Sequence, residues 1–206
     1  MKIVRSVIVF IEKIAFMWYY INVIMLTTDL CENSVITTER LKIRRVDTGD
    51  WKAIRDIWAD EARSFYARYD KPNKTDDESV FRRITKWASY KNSFGHMFFA
   101  VCLNDRVIGY VAFNEREGGY ETGYCFRSDC HGKGYAKESI KKLINVVGEN
   151  GAKSFFAGTA LNNTPSVKLL VSLGFKRIKT EKVSFYKDKN GNDIFFDGGV
   201  FELTVR

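Results

Sequence analysis

Proline and histidine are scarce in this chain, and the few cysteines are not paired by spacing. The two prolines, Pro72 and Pro165, are far too few to form a Pro-rich linker that would divide the sequence. His96 and His131 are the only histidines, and no two of Cys31, Cys102, Cys125 and Cys130 have C-x-x-C spacing. Zinc-finger patterns are therefore excluded, and no metal site is expected. The cysteines read as reduced thiols of a cytoplasmic protein, with Cys102 and Cys125 as small core residues in apolar, strand-like runs. A clean membrane-length hydrophobic run is also missing. The most apolar stretch, residues 7–26, is interrupted by Glu12, Lys13 and Asn22. Its longest clean run, Ile14 to Ile21, falls short of the roughly 20 residues a span needs. No small-residue cleavage site follows, so a signal peptide fits poorly. Residues 1–33 read as a hydrophobic, amphipathic N-terminal extension that packs as a helix on the domain or on a partner chain. A membrane-surface anchor and a natural start at Met25 are the alternatives; no transmembrane span is expected.

Charge of one sign is in excess, with a formal net charge of +8. The simplest reading is solubility through solvated faces; the other is attraction of an anionic ligand. Lys133, Lys137, Lys141 and Lys142 form the one notable basic stripe on a helical pattern. No basic helix with base-reading residues appears, so no nucleic-acid partner is expected. The length suits one domain over residues 34–206 with a real core. Aromatics at 15% suit a well-filled interior or an aromatic-lined pocket.

Periodicity predicts the element order. Arg40 to Val46 alternates as a strand. Asp47 caps a helix in which Trp51, Ile54, Ile57, Trp58, Ala62 and Phe65 recur at helical spacing. Thr75 to Glu78 reads as a capping box before a second helix marked by Val80, Phe81, Ile84 and Trp87. Three strands follow: His96 to Leu103, then Val107 to Phe113 across a tight turn at Asn104-Asp105, then Tyr120 to Arg127. A helix runs from Gly134 to about Val147, a buried strand from Ser154 to Thr159, and a short helix from Thr164 to Ser172. Phe175 to Lys187 and Asp193 to Val205 close the chain as a hairpin about Asn190-Gly191. The result is an α/β domain with a mixed, mostly antiparallel sheet of about seven strands, and a right-handed crossover over 120–159.

The chemistry-bearing residues sit around the central helix. His131-Gly132-Lys133-Gly134-Tyr135-Ala136 opens it. Two glycines at a helix start let backbone N–H groups approach an anion, and the helix dipole adds partial positive charge. Some thirty residues later come Asn163-Thr164-Pro165-Ser166 and then Leu173-Gly174-Phe175. Asn163 and Ser166 read on their own as a helix cap and a first-turn polar residue.

In this order the motifs resemble those of the GNAT acetyltransferase superfamily, in the branch typified by ribosomal-protein serine and alanine N-acetyltransferases. The resemblance covers residues from about 38 to 205. Thr38 to Arg44 resembles that branch's opening strand, Ile108-Gly109-Tyr110 its hairpin strand, and Glu121-Thr122-Gly123-Tyr124 its "E-I-G-Y" strand. The carrier-binding signature R/Q-x-x-G-x-G/A stands here as residues 131–136, with His131 in place of Arg or Gln. The resemblance implies a V-shaped splay between central strands, an acetyl-CoA cosubstrate, no metal, and an amine acceptor, either a small molecule or a protein N-terminus. It implies that the amides of Gly132 to Ala136 face the coenzyme's pyrophosphate, with Lys133 adding a cation and His131 touching phosphate or adenine. Cys125, Phe126 and Arg127 would line the pantetheine arm, with a backbone N–H near Phe126 as an oxyanion donor and Asn163 and Ser166 meeting the arm from the other side. A homodimer is compatible with it.

Acetyl transfer needs a neutral amine and a protonated leaving thiolate. Glu121 is the candidate base; its alternative is a simple ion pair with a neighbouring Arg or Lys. Many relatives carry a tyrosine acid where this chain has Leu170, so Ser166 or Tyr186 would have to substitute. Tyr135 reads as a packing residue. The acceptor side would draw on the helices over 47–91, the loop at 115–119 and the turn at 188–192. These carry Trp58, Phe65, Tyr66, Tyr69 and Trp87, with Asp60, Glu61, Asp76, Asp77 and Glu78; solvated helix faces are the simpler account of the acids. Two other readings stand beside an active enzyme: a CoA-binding adaptor or regulatory module without catalysis, and a basic scaffold acting on nucleic acid or ribosomes.

Overall fold

The computed structural model of the chain describes Leu30 and residues 34–205. Most of the expected N-terminal extension, with Cys31, lies outside the described residues. Eight strands form one sheet rather than seven: β1 Val35–Thr37, β2 Lys42–Arg45, β3 His96–Leu103, β4 Arg106–Arg116, β5 Gly119–Phe126, β6 Ser154–Ala160, β7 Lys176–Lys187 and β8 Asp193–Thr204. Their order is β1-β2-β3-β4-β5-β6-β8-β7. The additional strand is β1, three residues long, which the alternation signal is too short to show. Every neighbouring pair is antiparallel except β5 and β6. Asn104 and Asp105 make the β3–β4 turn with φ of 48° and 64°, the left-handed pair that a two-residue hairpin requires.

Helix α1 spans Trp51–Glu61 and buries Ile54, Ile57 and Trp58 on one stripe. It ends before Phe65, which instead lies exposed in a short 3-10 turn, Phe65–Tyr69. Helix α2 spans Asp77–Ser89. Its cap is Asp76, which accepts from the Ser79 N–H, one position after the expected Thr75. Helices α3, Tyr135–Glu149, and α4, Thr164–Ser172, lie on the other side of the sheet. Two apolar clusters result. Ile54, Ile57, Trp58, Val80 and Ile84 of α1 and α2 pack on one sheet face. Ile140, Leu143, Ile144 and Leu170 of α3 and α4 pack on the other with Phe113 and Phe155. No helix among the described residues is long and apolar enough to cross a membrane.

The feature that positions the site is the short parallel pair. Strands β5 and β6 join only at Tyr120–Phe155 and Glu121–Phe156. Gly119 starts the pair in close approach, since a Cβ there would sit 2.1 Å from the Ser154 carbonyl oxygen. Beyond Glu121 the strands diverge. From Ala157 onward β6 is paired on its β8 side alone, while β5 stays paired with β4 as far as Phe126. The sheet therefore opens as a wedge in its middle.

Candidate active site

Backbone groups line one wall of the wedge. Arg127 donates its N–H to the Ile108 carbonyl at 2.9 Å, so Arg127 and Ile108 form a hydrogen-bonded pair. In an antiparallel ladder such pairs alternate with non-bonded ones. The main-chain groups of Tyr124 and Phe126 accordingly face away from β4, toward the opening. The Phe126 carbonyl is taken by His131 Nε2 at 2.9 Å. The Phe126 N–H has the Cys125 thiol near it, a weak acceptor. The half-buried Cys125 thiol is itself pushed up to about 12, chiefly by burial.

The loop after β5 turns sharply onto α3. Gly132 and Gly134 both adopt left-handed backbone, with φ of 73° and 83°, which L side chains resist. Gly134 is the N-cap of α3 and supplies no side chain to cap it. The first helical bond runs from the Glu138 N–H to the Gly134 carbonyl at 3.0 Å. The N–H groups of residues 132–137 thus find no partner among the described residues at the positive end of a 15-residue helix, an arrangement built to hold an anion. Lys133 folds back, its Nζ donating to the Asp129 carbonyl at 2.9 Å. Arg127 pairs with Asp129 at 3.2 Å. His131 closes the loop rather than reaching outward, and Ala136 is half-buried against the core.

Across the wedge, Asn163 caps α4 by accepting the Ser166 N–H at 3.3 Å. The Ser166 hydroxyl sits 2.8 Å from the Tyr124 hydroxyl. Leu170, at the position of the missing tyrosine, is fully buried in the core. Tyr186 lies on the closing hairpin and donates its hydroxyl to the Ala67 carbonyl at 3.1 Å. Glu121 is at the apex of the wedge on the α1–α2 face and is half-exposed. Its Oε2 accepts from Arg116 at 2.9 Å, and its Oε1 lies 3.9 Å from where a Cβ of Gly158 would be. Both the ion pair and a position beside the opening are therefore real.

A family model of the acetyltransferase (GNAT) domain matches residues 40–176. The chain belongs to the GNAT acetyltransferase family. It is thus an acyltransferase, of a family whose members use acetyl-CoA. It is 28% identical to an N-acetyltransferase named p20 of Bacillus licheniformis over 144 residues, 68% of this chain and 81% of that protein. Its fold matches the acetyltransferase of Salmonella typhimurium described as modifying the N-terminal serine of ribosomal protein L7/L12, with a TM-score of 0.73 at 14% identity, covering 84% of this chain and 100% of that one. It also matches the microcin C7 self-immunity acetyltransferase MccE, solved with acetyl-CoA and AMP, with a TM-score of 0.68 at 16% identity, covering 82% and 94%.

Several residues that shape this acetyltransferase's site carry little or no sequence signal. Arg40 donates to the Lys133 carbonyl at 2.9 Å and to Glu138 at 2.7 Å, and stacks 4.6 Å over the Tyr135 ring. It thereby holds the glycine turn from the β1–β2 side and accounts for Tyr135 as a packing residue. Thr38 adds a 2.6 Å hydrogen bond to the same Glu138. Burial works against the Glu138 charge, yet the bonds from Thr38 and Arg40 outweigh it and hold the carboxyl below the usual range. On the acceptor side most acids are occupied. Asp60 accepts the Ser128 N–H at 2.7 Å, which lowers its pKa; Asp77 pairs with Arg55 at 2.7 Å; and Glu78 pairs with Arg82. Trp58 is buried with its indole donating to Tyr110, and Trp87 stacks on Phe98 at 4.4 Å. Glu61 differs from these, while Asp70 accepts the Lys71 N–H at 2.7 Å. Burial, with Asp70 nearby, raises Glu61. Asp70 is exposed, yet protein crowds its carboxyl and raises it as well, a shift that solvent access keeps modest.

Proposed function

We propose that this chain moves an acetyl group from acetyl-CoA to a primary amine, within a ternary complex in the β5–β6 wedge. The observation that carries the reading is the run of amides at residues 132–137 with no partner among the described residues, placed beside the diverging strands. A diphosphate suits the glycine turn, and an amide-rich arm suits the exposed edge of β5 as a form of strand addition. Arg127, His131 and Lys133 serve the turn mainly by shaping it, since each is already committed to a loop partner. Cys125 and Phe126 line the arm's path, with the Phe126 N–H as donor to the thioester carbonyl oxygen.

The acceptor enters from the α1–α2 face, where Glu61 and Asp70 draw a cationic amine. The ammonium first loses one proton to water; the neutral nitrogen then attacks the carbonyl carbon, the C–N bond forms and the C–S bond breaks. The proton lost from nitrogen passes to Glu121, directly or through water, and the departing sulfur accepts a hydrogen bond from Ser166. Glu121 returns that proton to solvent and the thiolate takes one up through the Ser166 hydroxyl, so in net terms one proton moves from the neutral amine nitrogen to sulfur. Both a small-molecule amine and a protein N-terminus fit this chemistry.

The buried Leu170 favours one alternative, a module that keeps CoA and has lost turnover. Calorimetry with acetyl-CoA and CoA, followed by mass detection of acetylated products from a panel of amines and N-terminal peptides, separates the two. Binding with product supports the transferase. Binding without product on any amine supports the module. No binding of either coenzyme overturns both.

A further inference from the structure

A hydrogen bond crosses the wedge from Tyr124 of β5 to Ser166 of α4, at 2.8 Å between oxygens. Both main-chain and side-chain groups of Ser166 are then tied, its N–H to Asn163 and its hydroxyl to Tyr124. A phenol is a far stronger acid than an alkyl alcohol, so the favoured sense has Tyr124 donating and Ser166 accepting. In that sense the serine's own proton is left free.

We propose that Tyr124 is a positioning residue for Ser166: by donating to the serine oxygen it directs the Ser166 O–H into the wedge, as a donor to the sulfur of coenzyme A. This rests on the reading that the wedge holds that coenzyme. Burial pushes the Tyr124 phenol up to about 12 against the lowering effect of Ser166, so it keeps its proton across the neutral range and the donor sense does not switch. Hydrogen bonds in series polarise one another, which strengthens the serine as a donor to a sulfur that gains negative charge. The arrangement supplies the function of the tyrosine absent at Leu170 from one turn earlier on the same helix, with the orienting phenol on the opposite wall of the cleft.

The test uses the full chain saturated with CoA labelled with carbon-13 at the carbon bearing sulfur, whose chemical shift reports thiol ionisation against pH. A donor aimed at sulfur favours the thiolate. The expected result is a bound thiol acidified about 10-fold or more relative to the Ser166→Ala complex, of the order a charge-assisted bond supplies. Tyr124→Phe should lose most of that acidification with CoA affinity at low pH unchanged within twofold. The double variant should lose no more than Ser166→Ala alone. In turnover, Tyr124→Phe should lower kcat with the KM for acetyl-CoA held. A wild-type thiol pKa in Tyr124→Phe overturns the proposal, and so does additive loss in the double variant, or equal change in kcat and KM. If Tyr124→Phe does not fold, Ser166→Thr, which keeps the hydroxyl, must restore the acidification that Ser166→Ala loses; failure to do so also overturns it. A chain that binds no CoA at all fails on the earlier reading instead.

Discussion

Replacing Gly134 by glutamate tests the anion cradle most directly, because two separable penalties meet at one position. The first is conformational. Gly134 has φ of 83°, and a left-handed L-residue costs about 1–2 kcal/mol. The new Cβ would also lie 3.3 Å from the Arg40 guanidinium, whose flexible end can give way. For a chain of this length that strain lowers Tm by about 2–8 °C. The second penalty is electrostatic. A carboxylate roughly 5 Å from one phosphate charge is repelled by about 1–3 kcal/mol between aqueous and surface-like dielectric limits. The loop is exposed, so the lower half of that range applies and CoA affinity should fall about 5- to 30-fold. Gly134→Ala carries the strain without the charge. Gly132→Ala, at φ of 73° with nothing within 4 Å of its Cβ, carries strain at a site free of Arg40. Calorimetric Kd values for the three variants at low and high salt isolate the charge, since the Glu–Ala gap should shrink as ions screen it. A folded Gly134→Glu variant that binds CoA as wild type does would refute the placement of the diphosphate.

Three further outcomes follow from the same geometry. Leu170→Tyr should not restore an acid: the side chain is fully enclosed, so overpacking and a stranded hydroxyl should cost about 2–5 kcal/mol, and thermal melts with no gain in kcat check it. Gly119→Ala should force β5 from Ser154, lowering stability by about 1–3 kcal/mol and weakening acetyl-CoA binding by moving the wedge apex; an unchanged Tm contradicts this. Glu61 titrates above the ordinary carboxylate range because burial penalises its charge, so the folded state binds its proton more tightly than the unfolded one. Stability should therefore fall as pH rises from the unfolded value through the folded one, a decline that Glu61→Gln removes; denaturant melts from pH 4 to 7 read it out.

Much of the architecture is legible in local pattern. The helical stripe of α1, the turn at Asn104-Asp105 and the two glycines ahead of α3 each announce their conformation through short-range sterics and periodicity. The boundaries of α1 and α2 moved because Phe65 lies in a separate turn and Asp76 rather than Thr75 reaches the open amides. The site was legible only where it is made of main chain. Arg40, Thr38 and Glu138 are brought together by tertiary packing, and no spacing rule links an arginine in the β1–β2 bend to a helix acid so far along the chain. Tyr124 was visible as part of a motif, but its contact with Ser166 depends on how far β5 and β6 diverge, which sequence periodicity does not encode. Glu121 makes the ion pair that one of its two readings expects, since an exposed strand residue finds an arginine on the adjacent strand whether or not it works as a base.

The clamp of Thr38 and Arg40 on Glu138 joins residues 100 and 98 positions apart. Such closure is slow, since distant segments must meet before the contact gains anything. The glycine turn should therefore settle after the local hairpins β3–β4 and β7–β8, whose partners are near in sequence. Refolding chains should acquire protease resistance in those hairpins before they acquire it in the glycine turn, and added CoA should hasten only the second stage.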